Sequence, residues 1–169
     1  MSRSRVQVPR AGEQTSRDAT HLTMSAGSIC SREVDTANYA ESVLDAARRM
    51  RDRQVGALIV VDDMTPVGIL TDRDLTVRVL AAGLDPQATR VSQVMTPSPT
   101  TIHEDESIQA GVSYMRAGRF RRLPVVGHNG RLVGILAIDD VLELVAGELA
   151  DIGHLLKREA PHRWLGRQT

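Results

Sequence analysis

The chain has 169 residues, and its 21 basic and 21 acidic side chains leave it with no formal net charge. Aromatic residues make up only 2% of a chain that is 41% hydrophobic, so any core must be built mainly from aliphatic side chains. The balanced charge argues against a nucleic-acid-binding protein, and the scarcity of aromatic rings argues against a stacking platform for single strands.

Cysteine content and hydropathy exclude further classes of protein. Cys30 is the only cysteine, which rules out an intramolecular disulfide and a multi-cysteine zinc site. The apolar run 57–61 is far shorter than the roughly 20 residues that span a bilayer. The N-terminus has no apolar stretch typical of a secretory signal. We therefore expect a cytoplasmic protein with no membrane partner.

The first half of the chain begins with a polar segment and continues with a regular pattern. Residues 1–23 are rich in Ser, Arg and Thr without a hydrophobic period, which predicts a flexible tail. A first unit follows over 24–83. Its periodicity predicts an extended segment at 34–36, an amphipathic helix through 43–50, strands at 57–62 and 67–71, and a helix at 73–82.

The second half repeats the first. Residues 84–93 form a predicted linker, a short helical piece is predicted at 91–95, and a second unit covers 94–150. Glu41-Ser42-Val43 has its counterpart 65 residues later in Glu106-Ser107-Ile108, and Val-Gly-Ile-Leu occurs at 67–70 and again at 133–136. The second unit is predicted to have an extended segment at 100–102, strands at 123–126 and 132–137, and a helix at 139–149. Residues 151–169 are predicted to form a helical extension and a tail.

The duplication predicts the fold. Each unit is too small to be stable alone, and its sheet would expose one apolar face. Packing the two sheets together removes that exposure. We therefore predict an α+β fold in which two β-α-β-β-α repeats pack sheet to sheet about a pseudo-two-fold axis.

The strongest local signal for chemistry is Gly-Ile-Leu-Thr-Asp-Arg-Asp at 68–74. A buried strand ends at Thr71 and a helix begins at once, so unpaired N–H groups at the helix start favour an anion. The Asp74 carboxylate can accept hydrogen bonds from a vicinal diol, and these parts suit a ribose phosphate. Simple N-capping by Thr71 or Asp72 explains the same residues, and both interpretations stay open.

The second unit keeps only part of this signal. Gly134 and Asp140 have the same spacing as Gly68 and Asp74, but Ala137 stands where Thr71 stood. The sequence therefore predicts that the second site is the weaker one.

The ordered set of motifs, present twice, resembles the cystathionine-β-synthase (CBS) domain, which occurs as tandem pairs. The resemblance covers roughly 25–150 and is carried by segments 68–75, 94–97, 121–126 and 134–136 with Asp140. It implies a regulatory, non-catalytic module that senses adenine nucleotides or related adenosyl ligands (AMP, ATP, NAD, S-adenosylmethionine) in clefts between its halves. No obligatory cofactor is implied.

The resemblance also implies a set of ligand-binding residues. Thr71 and Asp74 would hold a ribose against segment 99–102 of the opposite repeat, and Asp140 would face segments 34–36 and 55–57. Basic residues would reach phosphates, although surface charge explains them as well. The full set is Thr71, Asp74, Arg73, Pro99, Thr101, Ile102, Arg121, Arg122, Asp140, Val34, Thr36 and Ala57.

Other features carry weaker expectations. His103, His128 and His154 lack the spacing of metal ligands and are expected to be exposed, and Cys30 is expected to be a buried apolar residue. No phosphate loop or nucleophile elbow is present, so we predict that the chain is not an enzyme. An apolar stripe continues from 141 to 156, which predicts a homodimer or docking of an unknown protein partner. A structural dimerisation or partner-binding module with empty clefts is the alternative function.

Overall fold

The computed structural model describes residues 5–7 and 24–158, with side chains described for 24–155. The first half contains a strand at the N-terminus and then alternating helices and strands. Its elements are β1 (Arg5–Gln7), α1 (Ala26–Ile29), β2 (Glu33–Asn38), α2 (Val43–Arg53), β3 (Ala57–Asp62), β4 (Thr65–Thr71), α3 (Asp72–Asp74) and a π-helix (Leu75–Leu80).

The second half has the same succession of elements. They are α4 (Val91–Val94), β5 (Thr96–Pro97), β6 (Ile102–His103), α5 (Ile108–Gly118), β7 (Arg122–Val126), β8 (Leu132–Ala137) and α6 (Ile138–Arg158). Among the described residues, no helix is both long and apolar enough to cross a bilayer.

The central helices α2 and α5 begin and end in the same way, because the same local chemistry recurs in both repeats. The Ser42 hydroxyl accepts a hydrogen bond from Asp45 N at 3.1 Å, and the Ser107 hydroxyl accepts one from Ala110 N at 3.2 Å. The helices end at Gln54 and Arg119, whose φ values of 57° and 55° place them in the left-handed region.

The strands form two sheets, ordered β1-β2-β3-β4-β5 and β6-β7-β8. In the first repeat α2 connects the parallel strands β2 and β3, and a hairpin adds the antiparallel strand β4. In the second repeat α5 connects β6 and β7, and a hairpin adds β8. The sheets face each other through aliphatic side chains that belong to both repeats: Val34, Ile59, Val61, Met64, Ile69, Leu132 and Ile135. The predicted α+β fold of two packed repeats is confirmed.

The opening segment of each repeat packs on the core of the other repeat. Ala26 of α1 is fully buried in the core that α5 and α6 cover, and Cys30 lies there too, as expected for a buried residue. Val91 and Val94 of α4 are buried in the core that α2 covers. Each repeat thus contributes a short helix to the core of the other, in addition to the contact between the two sheets. Helix α4 lies partly inside the predicted linker.

Two further elements differ from the sequence-based expectations. Residues 5–7 of the predicted flexible tail form β1, which pairs antiparallel with Glu33–Asp35; positions 1–4 and 8–23 lie outside the described residues. The predicted helix at 73–82 is instead a short α-turn followed by a π-helix, with Ala81 N donating to Thr76 O at 2.9 Å and Leu84 N donating to Val79 O at 3.0 Å. The predicted C-terminal helical extension runs to Arg158, and 159–169 lie outside the described residues.

Candidate functional site

The junction between β4 and α3 is held by a reciprocal pair of hydrogen bonds. Asp74 N donates to Thr71 Oγ1 at 3.2 Å, while Asp74 Oδ2 accepts from Thr71 N at 2.9 Å and from the Thr71 hydroxyl at 2.7 Å. The other oxygen of Asp74, Oδ1, lies 3.4 Å from Arg78 Nε. N-capping, which the sequence left open, is therefore what these two side chains do in this structure.

The equivalent junction between β8 and α6 has half of this arrangement. Asp140 Oδ2 accepts a hydrogen bond from Ala137 N at 2.9 Å, as Asp74 does from Thr71 N. No hydroxyl stands at position 137 to return a bond to the helix. The loss of Thr at this position removes one capping contact but leaves the carboxylate in place.

A cleft of about 280 Å³ opens beside the first junction. The first repeat supplies most of its walls, and the second repeat adds one cation and one aliphatic side chain. The lining residues are Glu33, Val34, Asp35, Gln54, Val55, Gly56, Ala57, Ile59, Ile69, Arg122 and Ile135. Asp72 N donates to Gly56 O at 3.0 Å, so the Thr71–Asp74 junction adjoins the rim of this cleft.

The strand register places each junction next to its own repeat, whereas the sequence predicts that each one faces the opposite repeat. Ala57 lies opposite Thr71 in the β3–β4 ladder, and Arg122 lies opposite Ala137 in the β7–β8 ladder. Antiparallel pairing within a hairpin thus places each junction beside the strand start of its own repeat. The cleft next to Val34 and Ala57 is lined by Arg122 and not by Asp140.

The remaining predicted residues fall into two groups. Pro99 and Thr101 are half-buried, so their side chains remain accessible. Ile102 is fully buried with α5 in the core of the second repeat, and Thr36 is only 6% exposed. Ile102 faces α5 and is not available to a ligand. Thr36 lies two residues after Val34, so strand alternation places it on the face of β2 that points toward the other sheet.

The predicted cations differ in what they contact. Arg121 lies 3.4 Å from the Asp139 carboxylate, with both side chains mostly exposed. Arg122 lines the cleft, and among the described residues its guanidinium has neither a hydrogen bond nor an ion pair. Arg73 is exposed in the first turn after β4. Arg122 is therefore the cation that this cleft presents to a ligand.

Sequence reasoning did not anticipate an acidic group in the same cleft. Asp35 Oδ1 is buried without a hydrogen-bond partner among the described side chains, and Arg53 Nε lies 4.0 Å away. Buried polar atoms normally have a hydrogen-bond partner, and this oxygen has only the ion pair with Arg53 among the described residues. Asp35 lies in a segment that mixes polar and apolar residues, so the sequence does not distinguish it from an ordinary surface carboxylate.

Comparisons of sequence identify relatives. The family model described as CBS domain matches residues 26–81 and 91–147. Protein MK0525 of Methanopyrus kandleri is 31% identical over 137 residues, which cover 80% of this chain and 70% of that protein. The CBS domain-containing protein CBSCBSPB2 of Arabidopsis thaliana is 41% identical over 108 residues, but the match covers 63% of this chain and only 20% of that protein.

Solved structures share the same architecture. Hypoxic Response Protein I with two coordinated zinc ions has a TM-score of 0.64 and 33% identity, covering 70% of this chain and 97% of that one. CBSX2 in complex with AMP has a TM-score of 0.62 and 26% identity, covering 73% and 96%. The cytosolic domain of the Mg²⁺ channel MgtE in complex with ATP has a TM-score of 0.62 and 31% identity, covering 71% and 48%. With two family matches that together span most of its length, this chain belongs to the CBS domain family and carries the domain as a tandem pair.

Proposed function

We propose that this chain is a non-catalytic regulatory module that binds an adenine nucleotide or a related adenosyl ligand in the cleft between its repeats. Binding would alter the shape of a homodimer or its affinity for a protein partner. The fold is that of CBSX2 and of the MgtE cytosolic domain, which were solved with AMP and ATP respectively. The cleft beside Thr71–Asp74 provides the space for a small ligand.

The observation that carries the proposal is the unpaired Arg122. Its guanidinium belongs to the second repeat but lines a cleft built mainly by the first. A guanidinium can donate two parallel hydrogen bonds to a phosphate, and this one would give up no existing partner among the described residues in order to do so. A ligand phosphate would then connect the two repeats.

The other parts of the cleft suit the sugar and the base. Asp74 can exchange its bonds from Thr71 for bonds from ribose hydroxyls, because both kinds of donor reach the same carboxylate. The half-buried aliphatic side chains of Ile69 and Ile135 offer apolar walls to a purine. Asp35 Oδ1, which has an ion pair with Arg53 but no hydrogen bond, can accept one from an exocyclic amine.

The test is a calorimetric titration of the full chain with AMP, ADP, ATP, NAD and S-adenosylmethionine. We expect Arg122→Gln to weaken the best ligand at least tenfold. Arg121→Gln is the matched control and should leave the affinity unchanged, because Arg121 faces Asp139. A ligand at 100 times its dissociation constant should also add about 2.7 kcal/mol to the free energy of unfolding. Failure of all five ligands to bind would contradict the proposal.

The alternative is a structural module that dimerises or binds a protein while its cleft stays empty. Helix α6 favours it, since several large apolar side chains on this helix are exposed: Leu142, Val145, Leu149, Ile152 and Leu155. Under this alternative, Leu149→Glu should abolish self-association in light scattering, whereas Glu148→Gln should not. If this occurs and no nucleotide binds, the structural function is the correct one.

A further inference from the structure

Two histidines and an aspartate form a cluster on the second repeat. Asp105 Oδ2 lies 3.1 Å from His128 Nε2 and 3.7 Å from His103 Nδ1. The two imidazole rings have centroids 4.6 Å apart and are tilted by 54°. One potential ligand atom from each of the three residues lies within 4.8 Å of the others. The sequence-based expectation concerned spacing along the chain, and that spacing does not show that His103 and His128 lie side by side in the fold.

The fold brings the cluster together from two connections. His103 is the last residue of β6, Asp105 follows it in the loop before α5, and His128 lies in the turn between β7 and β8. The loop and the turn are tied to each other, because Glu104 N donates to Val126 O at 2.9 Å. The separation of 25 positions between His103 and His128 explains why local spacing carries no signal of the cluster.

The first repeat provides an internal comparison. The residue equivalent to His103 is Asn38, whose Oδ1 accepts a hydrogen bond from Ala40 N at 2.8 Å. His103 Nδ1 accepts the corresponding bond from Asp105 N, at 3.3 Å. The hydrogen bond that closes this turn is therefore shorter with asparagine than with histidine. The turn requires neither His103 nor the carboxylate of Asp105.

The donor set fits a transition-metal site in which His103 Nδ1 exchanges its 3.3 Å hydrogen bond from Asp105 N for the metal. Imidazole nitrogen and carboxylate oxygen are ligands that Zn²⁺ accepts, and with bonds of 2.0–2.1 Å its tetrahedral ligands lie about 3.3 Å apart. The distances of 3.1 and 3.7 Å from Asp105 Oδ2 bracket that value. We propose that His103, Asp105 and His128 bind one divalent transition-metal ion of the Zn²⁺ class, with water completing the coordination.

The site is separate from the nucleotide cleft. Arg122, which lines the cleft, is the first residue of β7, whereas the turn that carries His128 follows the last residue, Val126. Four residue-to-residue steps along the strand separate the two ends by roughly 13 Å. The metal-site proposal does not depend on nucleotide binding, and a bound ion would fasten the β6–α5 loop to the β7–β8 turn.

The test uses the full chain without an affinity tag, titrated with Zn²⁺ by calorimetry and with Co²⁺ by visible absorption. We expect the unmodified chain to bind one Zn²⁺. His128→Gln and Asp105→Asn should each lower the Zn²⁺ affinity at least tenfold and weaken the Co²⁺ d–d absorption band. His154→Gln removes an exposed histidine of α6 and serves as the matched control, with an affinity within twofold of the unmodified chain.

The variants are suited to this test because His128 and Asp105 are 78% and 67% exposed, so their substitution removes ligands without opening the core. Far-ultraviolet circular dichroism should be the same in all four proteins. Absence of Zn²⁺ binding, or equal affinity in His128→Gln and His154→Gln, would overturn the proposal.

Discussion

The two strand-to-helix junctions of this molecule share an origin but not a chemistry. At the first, Thr71 and Asp74 exchange hydrogen bonds through both backbone and side chain. At the second, Asp140 keeps its bond to the backbone of residue 137 and has lost the hydroxyl. The carboxylate is the part common to both, so the position of the acid does not depend on a complete capping box.

At the strand starts beside these junctions, the second repeat and not the first has the additional polar groups. Gly56 and Ala57 leave open space in the first repeat, whereas Arg121 and Arg122 occupy the equivalent positions in the second. Because Arg122 reaches across the interface, one cleft combines the space of the first repeat with the charge of the second. Duplication followed by divergence has thus made the two halves complementary, with neither copy holding a full set of parts.

The largest expected difference in stability between the repeats concerns Gly68 and Gly134. At these glycines the chain that follows α4 or α1 passes close to β4 or β8. A Cβ at Gly134 would lie 2.5 Å from Cys30 Sγ and 2.8 Å from the backbone oxygen of Ser31. A Cβ at Gly68 would lie 2.4 Å from Met95 Sδ, near the end of a flexible side chain, and 3.0 Å from Thr96 O. We expect Gly134→Ala to lower the free energy of unfolding by about 3 kcal/mol and Gly68→Ala by about 1 kcal/mol.

Urea unfolding of the two alanine variants measures this difference directly. The substitution is the same in both, so the effect of alanine on the unfolded chain largely cancels. Equal losses in the two variants would show that the close approach of Ser31 to β8 is relieved by movement of the backbone.

A smaller effect is expected from interchanging the two junctions. Thr71→Ala gives the first repeat the chemistry of the second and should cost about 1 kcal/mol of unfolding free energy, since a capping hydroxyl is lost. Ala137→Thr makes the reverse change and should raise stability by up to about 1 kcal/mol. Thermal unfolding of both variants checks the pair, and a neutral Thr71→Ala would mean that the Asp74 carboxylate alone caps α3.

The sequence was sufficient to predict the fold because the duplication is visible over whole segments. Offsets between matching motifs such as Glu41-Ser42 and Glu106-Ser107 determine the order of elements, and each repeat alone leaves an apolar sheet face to cover. The sequence also identified Arg122 and the Thr71–Asp74 junction as candidates that lie at or next to the cleft.

The contents of the cleft could not be predicted in the same way. The pairing of Ala57 with Thr71 depends on strand register, and symmetry alone does not say which strand start adjoins which helix. The sequence predicts a short helix at 91–95, but helices of four residues give no indication that α1 and α4 pack on the opposite repeat. His103 and His128 meet only through the tertiary structure, so no local pattern reveals their cluster.

The smallest predicted effect concerns two equivalent carboxylates, Glu41 and Glu106. In the first repeat Glu41 pairs with Arg49 and raises the pKa of that guanidinium. In the second repeat Glu106 accepts a hydrogen bond from Tyr114 Oη at 2.8 Å. This bond, together with the nearby negative charge, raises the pKa of Tyr114 above its ordinary value of 10.0.

The sign of the pH dependence follows from the neutral phenol being the bonded form. The stabilising contact is fully present below the unfolded pKa of about 10 and is lost as pH rises through the higher pKa of the folded chain. Absorbance at the tyrosinate band, recorded on Tyr39→Phe so that Tyr114 is the remaining tyrosine, should give a midpoint above 10. Adding Glu106→Gln should return the midpoint toward 10, because the amide keeps an acceptor but removes the charge. A midpoint that Glu106→Gln leaves unmoved would show that the two repeats do not differ in this way.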